Sequence, residues 1–256
     1  MAKNGNLLLD LMPAEIRDDI TGTGVPFTIA CGRRIATDEL KGDYVFVVSD
    51  GVASQFLVGQ DGRISEVGMI GREGMFPMSA LLYVPSAPKM VVAQVGTLRG
   101  WRIRAKDFHR ILSASKESRV LVRKSGYAFV TQLASNILTV EQNSVAARLA
   151  RWLLMCHDRI EGDSIMVTHD TLAQMAGAHR PTATNVLHQM RSDGMVDMSR
   201  GCVTICDRAA LRVLADGSYG QSEEYWQQHI GRFGKDRPVG DSEDFREAAT
   251  ARVSFG

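Results

Sequence analysis

The stretch THDTLAQMAGAHRPTATNVLHQMRSDG, from Thr168 to Gly194, decides the fold. Thr168 is placed to N-cap a helix over Asp170–Ala176, because its hydroxyl accepts from an otherwise unpaired backbone N–H. Gly177 ends that helix, since glycine enters the left-handed backbone region without a Cβ penalty. Ala178-His179-Arg180 crosses a turn, and Pro181 suits the first turn of a second helix, where no N–H is needed. That helix runs through Thr182, Asn185, Val186, Leu187, Met190 and Arg191 to Gly194. Leu172, Ala173 and Met175 face Val186, Leu187 and Met190 across the turn, and small Ala173 and Gly177 allow close approach. The pattern is a helix-turn-helix, whose second helix fits a major groove. A plain helical hairpin is the alternative.

Downstream, Met195–Met198, the turn Ser199-Arg200-Gly201 and Cys202–Ile205 read as strand, turn and strand. A hairpin at this distance is a wing, and it favours the DNA-binding form over the plain hairpin. Arg180 carries a fork that matches guanine, and Asn185 suits adenine. Thr182 shares their exposed face. Thr168, His179 and Arg200 flank them at places suited to backbone contact, and His169 joins the candidate set. Phosphate contacts position a protein, whereas the second helix reads base edges.

Upstream, the first hundred residues read as strands and turns. Short apolar runs at Val45–Val48, Gln55–Val58 and Met90–Ala93 are separated by Ser49-Asp50-Gly51, Gly59–Gly62 and Gly71–Gly74. Such spacing predicts an antiparallel β barrel or roll, with an open sandwich as alternative. Leu7 to Ile20 reads as a short helix before it, with Pro13 near a helix start.

From Ala105 the pattern turns helical. Between Ser113 and Thr139 there is no proline and one glycine, Gly126. Val120, Tyr127 and Ala134 recur at seven, as do Val130 and Ile137. A second set, Val122, Phe129 and Leu133, faces another way. Two apolar stripes require burial on two sides. The β roll covers one, and a second copy of the helix covers the other, because paired helices use a seam of this period. A helix central to one monomer is the alternative, since Arg123 interrupts the seam. Another helix follows from Asn143 or Ser144, with Val145, Leu149, Trp152, Leu153 and Cys156 on one face, and then a short strand at Ile165–Val167.

Composition bounds the function. The 256 residues balance 30 Lys plus Arg against 29 Asp plus Glu, which excludes a bulk polycation that holds nucleic acid by charge alone. Residues 99–124 nevertheless hold nine basic side chains (Arg99, Arg102, Arg104, Lys106, Arg110, Lys116, Arg119, Arg123, Lys124) against Asp107 and Glu117. This block reads as a solvated helix face, with a nucleic-acid or acidic-partner surface as alternative. No apolar run spans a membrane and the start shows no signal core, so the expected location is cytoplasmic. Cys31, Cys156, Cys202 and Cys206 read as buried structural thiols. Cys202-x-x-x-Cys206 alone is too little for a metal, and none is expected.

Taken in order, Gly71-Arg72-Glu73-Gly74-Met75, Ala147–Met155, Thr168–Gly177, His179–Thr184 and Ser199–Arg208 resemble the Crp/Fnr transcription regulators over about residues 14–220. The resemblance implies an α+β chain: an N-terminal antiparallel β roll of the cyclic-nucleotide-binding kind (1–112, with its short helix), a long dimerisation helix (113–140) and a C-terminal winged helix-turn-helix (141–220). Residues 221–256 form an extension outside it, where Tyr225, Trp226, Ile230 and Phe233 predict a further amphipathic helix. It further implies a homodimer on a near-palindromic site, with double-stranded DNA, a second copy and RNA polymerase as partners. The family's reading helix usually opens Arg-Glu-Thr with a further Arg one turn on. Here Pro181 replaces the glutamate and Asn185 stands at the later arginine, so the family's familiar operator is not expected.

Cyclic-nucleotide-binding members need a Gly-Glu-Leu turn for ribose and an Arg-Ser/Ala pair for phosphate. Pro77-Met78-Ser79 stands at the first position and Pro88-Lys89 near the second. Lys89 offers a point charge without the arginine fork. The expected effector is therefore not a typical cyclic nucleotide, no cofactor is expected, and Met78, Ser79 and Lys89 are the ligand-pocket candidates. Met69, Met75 and Met78 read as soft core filling near a cavity. Cys31 is the one cysteine before residue 156, which does not suit an iron–sulfur sensor. His109, beside Asp107, reads as a solvated or capping side chain rather than a haem ligand. His157-Asp158 sits at a helix end, where histidine complements the dipole. No Walker loop, nucleophile elbow or His-Glu-x-x-His is present, so no enzyme is expected. The alternative function is a ligand- or partner-binding signalling module without DNA binding.

Overall fold

A computed structural model describes residues 5–35, 40, 42–60, 62, 64–82 and 90–235, apart from the side chains at 140 and 142. Asn6 starts α1 (Leu7–Asp10). Its Oδ1 accepts from Leu9 N at 2.8 Å, while its Nδ2 donates to Val48 O and Gly74 O. Pro13 then starts α2 (Ala14–Thr23). The single helix expected over Leu7–Ile20 is thus two, because Pro13 has no N–H to donate inside a helix.

The roll consists of β1 (Val25–Ile29), β2 (Tyr44–Val58), β3 (Ile64–Ile70), β4 (Met75–Phe76) and β5 (Met90–Arg104). Its order is β1-β5-β2-β3, antiparallel throughout, with β4 also on β2. Two expected strands, Val45–Val48 and Gln55–Val58, are one. Ser49-Asp50-Gly51 is a bulged irregularity, where the register against β5 shifts between Val48 and Ala53, rather than a turn. Bulges bend a long strand without ending it. β5 likewise runs on from the expected Met90–Ala93 to Arg104.

That extension corrects the reading of the basic block. Arg99, Arg102 and Arg104 lie on β5, Lys106 and Arg110 on α4 (Ala105–Ser113), and the remainder on α5 (Lys116–Gln142). Several charges have local partners. Arg99 pairs with Asp50 at 2.7 Å, Arg102 lies over the Tyr44 ring at 4.8 Å, and Arg119 donates to Leu112 O at 3.0 Å. His109 is half-buried, and it caps from a distance: its Nε2 lies 2.7 Å from Ala80 O, a carbonyl at the end of α3 (Met78–Leu81), and ties α4 to that helix.

α5 covers the exposed edge of β3. Gln132 Oε1 accepts from Met69 N at 2.6 Å, its Nε2 donates to Met69 O at 3.1 Å, and Asn136 Nδ2 donates to Val67 O at 2.6 Å. Side-chain amides thus satisfy an edge strand's unpaired groups. Gly68 permits this approach, since a Cβ there would sit 2.7 Å from the Phe129 ring.

The remaining elements are α6 (Val145–Arg159), β6 (Ser164–Met166), α7 (His169–Met175), α8 (Arg180–Ser192), β7 (Val196–Ser199), β8 (Cys202–Ile205), α9 (Arg208–Leu214) and α10 (Gln221–His229). Ser144 caps α6 by accepting from Ala147 N at 3.1 Å. Their core holds Leu149, Leu153, Leu172, Leu187, Val203 and Leu211, and extends to Val52, Met69 and Val95 of the roll. The winged helix therefore packs on the β roll. Each fully buried leucine here contributes about 1.5–3 kcal/mol. Of the thiols expected to be buried, only Cys156 is. Cys31 and Cys206 are exposed and Cys202 is half-buried, because Cys31 follows the end of β1 and Cys206 lies beyond β8. His157, expected at a helix end, is buried in the last turn of α6, 2.8 Å from Asp163 Oδ1. No described helix is long and apolar enough to cross a membrane.

Candidate nucleic-acid interface

Thr168 Oγ1 accepts from Thr171 N at 3.1 Å and starts α7. Gly177 ends the turn with φ +58°, and Ala178 N closes it on Ala173 O at 2.9 Å. α8 follows with His179 as N-cap residue and Pro181 in its first turn. Ala183, Leu187 and Met190 are buried against Leu172 and Ala173. The helical period then leaves Arg180, Pro181, Thr182 and Asn185 exposed. A single apolar stripe thus both anchors the helix and presents its polar side outward.

Arg180 Nε lies 3.1 Å from Asp170 Oδ1 of α7, with both side chains about two-thirds exposed (67% and 69%). Such a pair is worth about 0–1 kcal/mol. It orients the guanidinium without fixing it in place. His169 Nδ1 lies 3.3 Å from Thr184 Oγ1 and joins the two helices from outside. The wing is β7 and β8 joined at Arg200-Gly201, with Arg200 exposed at the tip. Arg191 Nε, 3.1 Å from Asp197 Oδ1, ties the end of α8 to it. β6 completes the sheet in the order β6-β8-β7.

Sequence reasoning missed two kinds of residue here. His188 and Gln189 are also exposed on α8, and the helical period read one turn further reaches them. Arg148 donates to Ala176 O at 2.7 Å and to Asn143 O at 2.6 Å, so it caps the C-terminal end of α7 from α6. Nothing local in the sequence signals that role.

Met78 and Ser79 open α3 rather than forming a turn, and they line a cleft of about 710 Å³ with Phe56, Val67, Phe129, Leu133 and Ile137. Lys89, the third pocket candidate, and the rest of Ser86–Lys89 lie outside the described residues. Among the described residues, three buried polar atoms in cleft-lining residues have no hydrogen-bond partner: Gln55 Nε2, Ser79 Oγ and Asn136 Oδ1. Glu66 also lines the cleft. Burial pushes its carboxyl up to about 7, against the hydrogen bonds donated by Ser54 and Trp152. Trp152 Nε1 reaches Glu66 Oε2 from α6 at 2.9 Å. Among the described residues no group of three His, Cys, Asp or Glu side chains is placed to hold a metal ion.

On α5, Tyr127, Val130 and Ile137 are 58%, 51% and 62% exposed, and Ala134 is exposed beside them. Val120 is half-buried. Val122 and Phe129, on the other stripe, are buried against the roll and its helices. Tyr127 also meets Tyr225 of α10, with ring centroids 5.0 Å apart.

Residues 147–214 match the Crp-like helix-turn-helix domain. No curated protein sequence matches the chain. Solved structures do. A CRP-family transcriptional regulator from Thermus thermophilus superposes with a TM-score of 0.62 at 17% identity, covering 76% of this chain and 99% of that one. FixK2 from Bradyrhizobium japonicum gives 0.62 at 15% identity, over 75% and 96%. A Crp/Fnr-family transcriptional regulator from Eubacterium rectale gives 0.59 at 20% identity, over 83% and 99%. The chain therefore carries a Crp-like helix-turn-helix DNA-binding domain behind a β roll, in the fold of the Crp/Fnr transcription regulators.

Proposed function

We propose that the chain is a homodimeric transcription regulator that reads a near-palindromic DNA site through α8. The observation that carries this reading is the exposed face of α8, with Arg180 held outward at its start and the wing tip Arg200 beyond it. In this reading Arg180, Thr182 and Asn185 contact base edges, and Thr168, His169, His179 and Arg200 contact the backbone. Thr168 and His169 already use side-chain atoms to cap and brace α7, so their backbone contacts come from the remaining donor capacity. Dimerisation through Val120, Tyr127, Val130, Ala134 and Ile137 is supported by the exposed apolar stripe on α5, which leaves a seam of the period that paired helices bury. The chain shares its fold with regulators of transcription, which makes RNA polymerase the expected protein partner. Binding of duplex DNA from promoter regions, measured against random-sequence competitor, tests the reading. Equal affinity for both would overturn it.

The cleft beside α5 supports an effector that is not a typical cyclic nucleotide. Its walls are mainly apolar, its lining carboxylates are Glu66 and Glu141, and no arginine or lysine lines it among the described residues. A phosphate would lack the forked cation it needs there. An uncharged, largely apolar molecule fits this lining. Titration calorimetry with cAMP and cGMP is expected to show no binding tighter than about 10 μM, roughly 7 kcal/mol. Tighter binding would overturn the effector reading and leave the DNA reading standing.

A further inference from the structure

The segment after α9 lies outside the Crp-like domain match at 147–214, yet it is built into the structure at both ends. It leaves the winged helix on α6, where Arg151 Nε donates to Ser218 O at 2.8 Å and Arg208 bonds both Tyr219 and Asp158 at 2.6 Å. α10 then crosses α5. Ser222 Oγ donates to Ala128 O at 2.9 Å, Ser135 Oγ donates to Gln221 Oε1 at 2.9 Å, and Lys124 Nζ donates to His229 O at 2.7 Å. Trp226 and Phe233, each 2% exposed, join the cluster formed by the roll, α1 and α2. Gly231 passes against Leu11 so closely that a Cβ would lie 2.9 Å from its side chain. The chain finally returns to α6, where Lys235 N donates to Asp158 Oδ1 at 3.1 Å.

At the middle of this path sits Arg159, the last residue of α6 and 2% exposed. Its Nε donates to Glu73 of the roll at 2.8 Å, and a terminal nitrogen lies 3.5 Å from Glu223 of α10. Its guanidinium also lies over the Phe233 ring at 5.2 Å. One buried cation thus joins the roll, the winged helix and the C-terminal segment, and removing either carboxylate leaves it under-compensated.

We infer that residues 218–235 are an intramolecular strap that locks the winged helix onto the β roll and α5, keyed by Arg159 between Glu73 and Glu223. The strap does not cover the exposed face of α8, so it acts by fixing position and not by blocking the groove-reading surface. Its consequence for DNA rests on the function proposed above. A dimer that meets two half-sites needs its reading helices at a set separation, and a loosened domain must be ordered on binding, at a cost in affinity.

Amide hydrogen exchange on the full chain without DNA tests the strap independently of that function. Trp226→Ala removes the buried indole, and Glu223→Gln keeps the shape while removing the charge facing Arg159. Both variants are expected to exchange about tenfold faster over residues 152–159, and Glu223→Gln also over 66–70 with the β2–β5 pairing unchanged. Equal rates in Glu223→Gln and the parent chain would overturn the strap. So would acceleration in Glu223→Gln spread evenly over β2 and β5, which would make the segment ordinary core. Where exchange responds as expected, operator binding by Glu223→Gln is expected to weaken about tenfold, and unchanged binding would overturn only the positional consequence.

Discussion

In the proposed reading, sequence preference turns on Arg180. Asp170 holds its guanidinium 3.1 Å away on the open side of α8, and a bidentate contact to guanine needs that orientation. Arg180→Ala is expected to cost about 1–3 kcal/mol and to relax preference at one base position in each half-site, read by competition with single-base variants of the site. Arg200, at the wing tip, is expected to act on phosphate. Its replacement by alanine weakens all sequences alike and lowers the salt slope by about one contact. Glu66 carries a different prediction. Folded, it keeps its proton to about pH 7 because of burial, against an ordinary value of 4.5. Between those pH values the folded chain binds more protons than the unfolded one, so stability falls as pH rises through the window. Glu66→Gln removes that loss, at most about 3.5 kcal/mol across the window. Denaturant titrations at pH 5 and pH 8 are expected to differ less in the variant than in the parent chain. An unchanged difference would assign the proton elsewhere. Arg180, Asn185 and Arg200 were legible because local signals, a glycine stop and a proline start, place them. Glu66 and Arg148 were not, because their partners lie far along the chain: 86 residues on for Trp152 and 28 for Ala176.

Among the elements, α5 divides its labour by face. Its buried side carries Val122, Phe129 and Gln132, and the amides of Gln132 and Asn136 complete the edge of β3. Its other side leaves Tyr127, Val130 and Ile137 to solvent. Tyr127→Glu together with Val130→Glu is expected to give a monomer that still folds, because neither side chain supports the roll's core. Light scattering at micromolar concentration measures the outcome. A parent chain that is already monomeric, or a variant that stays dimeric, would contradict the seam. Periodicity found both stripes, since a seven-residue recurrence needs nothing beyond neighbours in sequence. It missed the strand lengths. β2 absorbs Ser49-Asp50-Gly51 as a bulge because β5 lies alongside to hold it, and pairing with a distant strand overrides a local turn signal. Pro13 is the opposite case, because its effect on the N-terminal helix is local and readable from the residue itself.

At the scale of the molecule, the roll and the winged helix share buried contacts, with Val52, Met69 and Val95 in one cluster with α6 and α7. Glu66 lies at the junction, lining the cleft and accepting from Trp152 of α6. A ligand in the cleft would therefore act on a residue that already touches the DNA-binding domain. In the proposed reading, two copies of α8 read a twofold site with half-site centres about 34–36 Å apart. Selection from a random duplex library with the purified chain, repeated with Arg180→Ala, tests it most directly. A near-palindrome with that spacing is expected, degraded at one position per half-site in the variant. Recovered sequences without twofold symmetry, or an Arg180→Ala variant that keeps the full parental preference, would contradict it.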